Sequence, residues 1–174
     1  MAKVKIVHEL ELIPAVDHEL SPELALATAI AIAAMAHRTM TDKGGKPYIL
    51  HPLKVMHYLH EETDMELMAA AVLHDVLEDT DVTAEFLQSR GLRARTIELV
   101  LVVTKDDARL NEPGYDDEYY DGILQRRETI RIKKADLRHN LDPRRLKGIS
   151  DKDHRRMQKY NNRYHQLTET EKKF

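Results

Sequence analysis

The sequence predicts an all-α fold, and three observations carry that prediction. Ala, Leu, Met and Glu dominate the 174 residues, β-branched alternation is scarce beyond Val4 to Val7, and apolar residues recur at helical spacing behind capping signals. The length suits one compact domain with a sizeable core. Residues 22–174 form that domain, and residues 1–21 are an N-terminal extension to which the sequence assigns no structure.

The elements follow in order. Ser21-Pro22-Glu23 combines an N-cap, a proline at the first helical position and an early acid, opening an Ala-rich helix to about Thr39. Its small residues let neighbouring helices approach closely. Asp42 to Pro47 contains Gly44-Gly45 and ends on proline, so it is a turn. A short helix is expected from Pro52 to about Leu59, and Thr63 or Asp64 caps the next, from Met65 to about Leu77. That helix is apolar nearly all the way round and should be buried on most sides. Further helices are expected at Thr83 to Arg90, Ala94 to Val103, about Asp117 to Arg127, Thr129 to about Leu141 and Lys152 to about Thr168. Lys105 to Asp116 is polar, contains Pro113-Gly114 and reads as a mobile loop.

Composition narrows the function. Lys plus Arg number 27 against 30 Asp plus Glu, a net charge of -3, which offers no general attraction for nucleic acid or a membrane surface. Phosphate recognition would then be a local patch. The chain has no cysteine, which excludes disulfides and a thiol nucleophile. No stretch is long and apolar enough to span a bilayer, and no signal-peptide core follows Met1, so a cytoplasmic protein is expected.

Chemistry concentrates at one point. His74, Asp75, Glu78 and Asp79 interrupt the end of the most apolar helix, where unpaired buried charges would cost several kcal/mol each. On a helix, His74 with Glu78 and Asp75 with Asp79 are i, i+4 neighbours, and the three carboxylates repel unless a cation lies among them. Two further groups stand in apolar settings: His51, after the Gly-Gly turn, and Asp136, with Asn140 one helical turn later. Two His and two carboxylates make a mixed N/O site suited to manganese, iron or another first-row metal. Such a site activates water.

His51, His74-Asp75 and Asp136 resemble the H…HD…D signature of the HD-domain phosphohydrolases. The segments Lys43-Gly-Gly-Lys-Pro-Tyr-Ile-Leu-His51-Pro, Ala70-Ala-Val-Leu-His-Asp-Val-Leu-Glu-Asp-Thr80 and Lys134-Ala-Asp-Leu-Arg-His-Asn140 come in the order seen in RelA/SpoT-homologue hydrolase domains. The likeness runs from about Ala25 to Leu167, and the chain resembles the small stand-alone alarmone hydrolases. It implies a single HD-domain helical bundle and a manganese-dependent (Mn2+) removal of 3′-pyrophosphate from (p)ppGpp-like nucleotides. By the resemblance, His51, His74, Asp75 and Asp136 hold the metal. Glu78 and Asp79 orient or deprotonate the attacking water, Asn140 faces the ribose, and Lys43, Lys105 and Arg156 meet base or phosphates.

Three departures widen the substrate class. Asp42 stands where many family members have an arginine that stacks on guanine, Leu137-Arg138 inverts the usual order after the aspartate, and Pro143 replaces a common threonine. Adenine alarmones such as (p)ppApp, or a phosphorylated cofactor such as NADPH, therefore stand beside the guanine compounds. A catalytically silent nucleotide-binding module is the reading from another class. His37 and His139 are expected to be structural, and Arg126-Arg127 and Arg144-Arg145 to be surface charge.

Overall fold

The N-terminal segment is tied into the fold by polar contacts and by two buried side chains. The computed structural model describes residues 3–60, 63–146 and 148–174; Met1, Ala2, Glu61, Glu62 and Lys147 lie outside the described residues. Val4 makes one parallel bridge with Thr80, its amide donating to the Asp79 carbonyl and its carbonyl accepting from the Asp81 amide. Asp81 Oδ1 accepts from the amides of Ile6 (2.7 Å) and Val7 (3.0 Å) as the chain enters α1 (Val7–Leu10). Ile6 and Leu10 then bury in the main core. The strand-like run Val4 to Val7 is thus one bridge followed by a helical turn.

In α2 (Pro22–Ala36), Ser21 caps the helix through the Leu24 amide, and Ala25, Ala29, Ile32, Ala33 and Ala36 form its buried stripe at i, i+3 and i+4 spacing. That stripe faces α4 (Met65–Leu73), whose residues Ala69 to Leu73 are all fully buried. Alanines on both helices let the axes come close, because interaxial distance is set by the side chains at the contact. Asp64 starts α4 by accepting from the Leu67 amide, and Arg95 grips the same carboxylate with two nitrogens. Helix α3 (Leu50–His57) begins before the expected Pro52. Proline then lies in the first turn, where its missing N–H costs nothing, and His51 joins the helix.

The expected Met65 to Leu77 helix is broken. It ends at Leu73, the chain turns through His74 and Asp75, and α5 (Val76–Asp79) resumes for one turn. His74 Nδ1 lies 2.8 Å from the Ala71 carbonyl, the group that the Asp75 amide would use in a continuous helix, so side chain competes with backbone there. Next come α6 (Ala84–Ser89), capped by Thr83, and α7 (Ala94–Val103). Lys105 to Asp116, expected to be a mobile loop, contains a 3-10 turn at Asp107–Arg109. The Asp106 amide donates to Tyr115 Oη at 2.5 Å, and Gly114, at φ +85°, turns the chain into α8 (Tyr115–Ile123). Helix α9 (Arg127–Asn140), a 3-10 turn at Pro143–Arg145 and α10 (Asp151–Glu171), which opens on a Ser150/Asp153 capping box, complete the chain.

Packing around α4 positions the site. Helices α2, α3, α7 and α9 all contact α4, and a second cluster joins Tyr119, Tyr120 and Ile123 of α8 to Ile130 and Leu137 of α9 and Leu167 of α10. Leu73 is fully buried one residue before His74, and its truncation to Ala would cost about 2–5 kcal/mol. The polar break is therefore anchored directly to a fully buried part of the core. Among the described residues no helix is long and apolar enough to cross a membrane.

Candidate metal centre

Three elements bring four side chains to one point. The first turn of α3 supplies His51, the break after α4 supplies His74 and Asp75, and α9 supplies Asp136. His51 Nε2 lies 3.2 Å from Asp136 Oδ1 and 3.5 Å from Asp75 Oδ2, and His74 Nε2 lies 3.0 Å from Asp75 Oδ2 and 3.7 Å from Asp136 Oδ1. His51, His74 and Asp136 are buried, and one ligand atom from each falls within 4.8 Å of the others. All four sequence-predicted ligands are thus brought together.

These residues fit a divalent cation. The Ala71 carbonyl can only accept, so His74 Nδ1 carries a proton and its buried Nε2 faces the carboxylates, where it can take either a second proton or a cation. That Nε2 has no hydrogen-bond partner among the described residues, an orphaned atom that a metal would satisfy. Burial alone would depress the His74 pKa, but the carboxylates of Asp75 and Asp136 outweigh it and lift the group to about 10. The pocket therefore demands positive charge beyond what neutral imidazole supplies. Burial opposes ionisation of Asp75 and Asp136 too, yet His74 holds the first, and Lys133 the second, well below the usual carboxylate range. The donors are mixed N/O, which suits a first-row metal.

The cluster opens onto a cavity of about 500 Å³. Glu78 and Asp79 line it beside Asp75, and burial with the neighbouring Asp75 charge raises both, Asp79 to about 7. Glu78 Oε2 also accepts from the Lys105 amide at 3.1 Å, which fixes that carboxylate against the loop after α7. Lys43, Lys105, Asn140 and Arg156, the sequence-predicted substrate groups, all line the same cavity. Asn140 Nδ2 donates to Asp136 Oδ1 at 2.5 Å, and Arg156 pairs with Asp153 at 3.0 Å. Acidic and cationic side chains line the one cavity together, an arrangement able to hold a metal and a phosphorylated ligand.

Residues 29–110 match the family model described as "HD domain". Over that span the chain is similar to HD domains. The matched span includes His51, His74-Asp75, Glu78-Asp79 and Lys105, and Asp136 completes the cluster from outside it. A solved structure described as a metazoan SpoT orthologue that hydrolyses ppGpp superposes with a TM-score of 0.72 and 24% identity, covering 85% of this chain and 87% of that one. At that identity the likeness speaks for the fold. Among curated relatives, a guanosine-3′,5′-bis(diphosphate) 3′-pyrophosphohydrolase of Vibrio cholerae is 43% identical over 84 residues, 48% of this chain and 12% of the relative. MESH1 of Danio rerio, which bears the same activity in its name, is 43% identical over 74 residues, 40% of this chain and 41% of its own length. The matches thus span well under two thirds of either curated relative.

Several residues that touch the centre escaped sequence reasoning. Tyr48 Oη donates to Asp75 Oδ2 at 2.6 Å, and Lys133 Nζ lies 2.8 Å from Asp136 Oδ2, one turn before it on α9. His37, fully buried, bonds the Ala33 carbonyl through Nδ1, as a structural histidine would. Its other nitrogen lies 3.7 Å from Asp79, and burial holds its pKa down at about 4. His139, also expected to be structural, meets His51 ring to ring at 2.7 Å. The surface-charge expectation holds for Arg144, 86% exposed, and fails for Arg145. Arg145 lines the cavity, donates to Asn140 Oδ1 at 2.5 Å and lies 3.6 Å from Asp42.

Proposed function

We propose that this chain is a metal-dependent hydrolase that removes the 3′-pyrophosphate from (p)ppGpp-like nucleotide alarmones. One observation carries the reading: a buried His51, His74 and Asp136 cluster, with Asp75 beside it, faces a cavity lined by the paired acids Glu78 and Asp79 and by several cations. The names of the Vibrio cholerae and Danio rerio relatives support the substrate class. Manganese is the metal proposed; a bound divalent ion lowers the pKa of water and polarises a phosphoryl oxygen. Water attacks the 3′ phosphorus, the bond to the ribose oxygen breaks, and pyrophosphate leaves a 5′-diphosphate nucleotide.

The chain's own groups divide the remaining work. Glu78 and Asp79 orient the water and take its proton; burial raises the proton affinity of both, and Asp79, at about 7, is suited to general-base work near neutral pH. Lys43, Lys105 and Arg156 hold phosphates or base, Arg156 with its planar guanidinium. Asn140, oriented by Asp136 and Arg145, presents an amide toward the ribose.

A second reading concerns the base. Asp42 is spent on its own turn, accepting from the amides of Gly44 and Lys46 at 2.9 Å each, and Arg145 offsets its charge. A purine would thus meet a compensated acid–base pair, which supports (p)ppApp or NADPH as further candidates.

The test is pyrophosphate and orthophosphate release from ppGpp, ppApp and NADPH with Mn2+, by wild type and His74→Ala. Pyrophosphate from ppGpp, lost together with bound metal in His74→Ala, is expected. Turnover surviving in His74→Ala refutes the reading. Faster release from the adenine compounds replaces it with the second one, and tight nucleotide binding without turnover makes the chain a silent module.

A further inference from the structure

The two histidines of the centre are oriented by different means. His74 bonds a carbonyl, which only accepts, so backbone chemistry alone fixes its proton on Nδ1. The partner of His51 is instead another imidazole. His51 Nδ1 and His139 Nδ1 are 2.7 Å apart, their ring planes are inclined by 14° and their centroids lie 5.0 Å apart. That separation equals the N···N distance plus one ring radius on each side. The rings therefore lie edge to edge with the bond in both planes, along the nitrogen lone-pair direction. One nitrogen donates and the other accepts, and the tautomer of His139 decides which.

The far side of His51 supplies the direction. Its Nε2 lies 3.2 Å from Asp136 Oδ1 and 3.5 Å from Asp75 Oδ2. We propose that His139 is the positioning residue for His51: a bare His139 Nδ1 holds the His51 proton on Nδ1 and leaves the His51 Nε2 lone pair for a cation. The proposal rests on reading His51 as a metal ligand. Helix α9 then serves the site twice, since Asp136 and His139 are three residues apart on one face. The His139 ring is itself set by the Tyr58 ring, edge-on at 6.4 Å, over which Arg138 stacks at 4.1 Å. If His139 carried its proton on Nδ1, His51 would have to accept there. A neutral His51 would then be protonated at Nε2, the nitrogen required for metal.

Nitrogen-detected NMR of the imidazoles in the metal-free protein reads the His51 tautomer directly, and calorimetric titration with Mn2+ reads affinity. Asparagine places an oxygen near the position of Nδ1, so His139→Asn keeps the acceptor while His139→Leu removes it. Wild type and His139→Asn are expected to show His51 protonated on Nδ1. His139→Leu should mix tautomers and bind Mn2+ about 10–100-fold more weakly, the usual effect of losing a ligand's hydrogen-bond partner. A proton on His51 Nε2 in the wild type overturns the proposal, as does wild-type affinity in His139→Leu or an equal loss in His139→Asn. No Mn2+ binding by the wild type overturns the metal centre itself, whereas normal binding by both variants overturns only the role of His139.

Discussion

Lys133 offers the sharpest test of how charge is balanced at the centre. Its side chain is 12% exposed, Asp136 is 6% exposed, and Nζ lies 2.8 Å from Asp136 Oδ2, leaving Oδ1 to face the two imidazoles. Lys133→Met keeps most of the apolar stem and removes only the charge. In the metal-free protein a buried carboxylate loses its countercharge, a change that costs about 3–5 kcal/mol. With a divalent cation on Oδ1, charge compensation survives and the loss falls to that of a charged hydrogen bond, about 1.5–3 kcal/mol. For a domain of this length 1 kcal/mol moves Tm by about 2–4 °C, so the metal-free variant should melt about 6–20 °C below wild type. Saturating Mn2+ should recover part of that deficit. Because the metal-free state suffers more, Mn2+ should bind the variant more tightly, by about 2 kcal/mol or about 30-fold. Thermal melts with and without Mn2+, together with calorimetric titration, give both quantities. Weaker Mn2+ binding in Lys133→Met, or a metal-free Tm equal to wild type, would refute this account of the Lys133–Asp136 pair.

Other perturbations separate the roles of neighbouring groups. Glu78→Gln should bind Mn2+ and nucleotide normally while kcat falls about 10²–10⁴-fold; a near-normal kcat removes Glu78 from water activation. Arg145→Ala leaves the Asp42 carboxylate uncompensated beside the cavity and should raise KM, and adding Asp42→Asn should recover part of the loss. If the single and double variants have the same KM, charge compensation is not what Arg145 supplies. Asp81→Ala removes the acceptor for the Ile6 and Val7 amides and should lower kcat through α5 without changing Mn2+ affinity. A loss of Mn2+ affinity as large as the loss of kcat would contradict that separation.

The parts of the fold legible in the sequence are those fixed by local chemistry. Ser21-Pro22 opens α2 as expected, Asp64 caps α4 and Thr83 caps α6, because a side-chain oxygen on an amide two or three residues ahead is a short-range event. All four ligand candidates were legible as well, since charge in an apolar run is conspicuous. What stayed hidden depends on contacts between distant segments. Tyr48 reaches Asp75 across 27 positions and His139 reaches His51 across 88. Lys133 sits only three residues from Asp136, but its partner is chosen by burial in α9 and not by spacing alone. Arg145 looked like surface charge because Arg144, its neighbour, is surface charge.

The break between α4 and α5 also explains why the N-terminal segment belongs to the site. Consecutive residues on a continuous helix point roughly 100° apart, so His74 and Asp75 could not easily aim at one ion from an unbroken rod. Turning the chain there brings His74 Nε2 within 3.0 Å of Asp75 Oδ2. The consequence falls on α5, which has only four residues and cannot hold a helical turn on its own propensity. Its hold comes from outside. Lys3 Nζ donates to the Leu77 carbonyl at 2.6 Å, the Val4 amide donates to the Asp79 carbonyl at 2.9 Å, and the Val4 carbonyl accepts from Asp81. Glu78 and Asp79 lie between those clamps. A segment with no helical signal of its own thus restrains the turn that carries the proposed water-activating pair, while the proposed metal ligands are anchored independently by α3, α4 and α9.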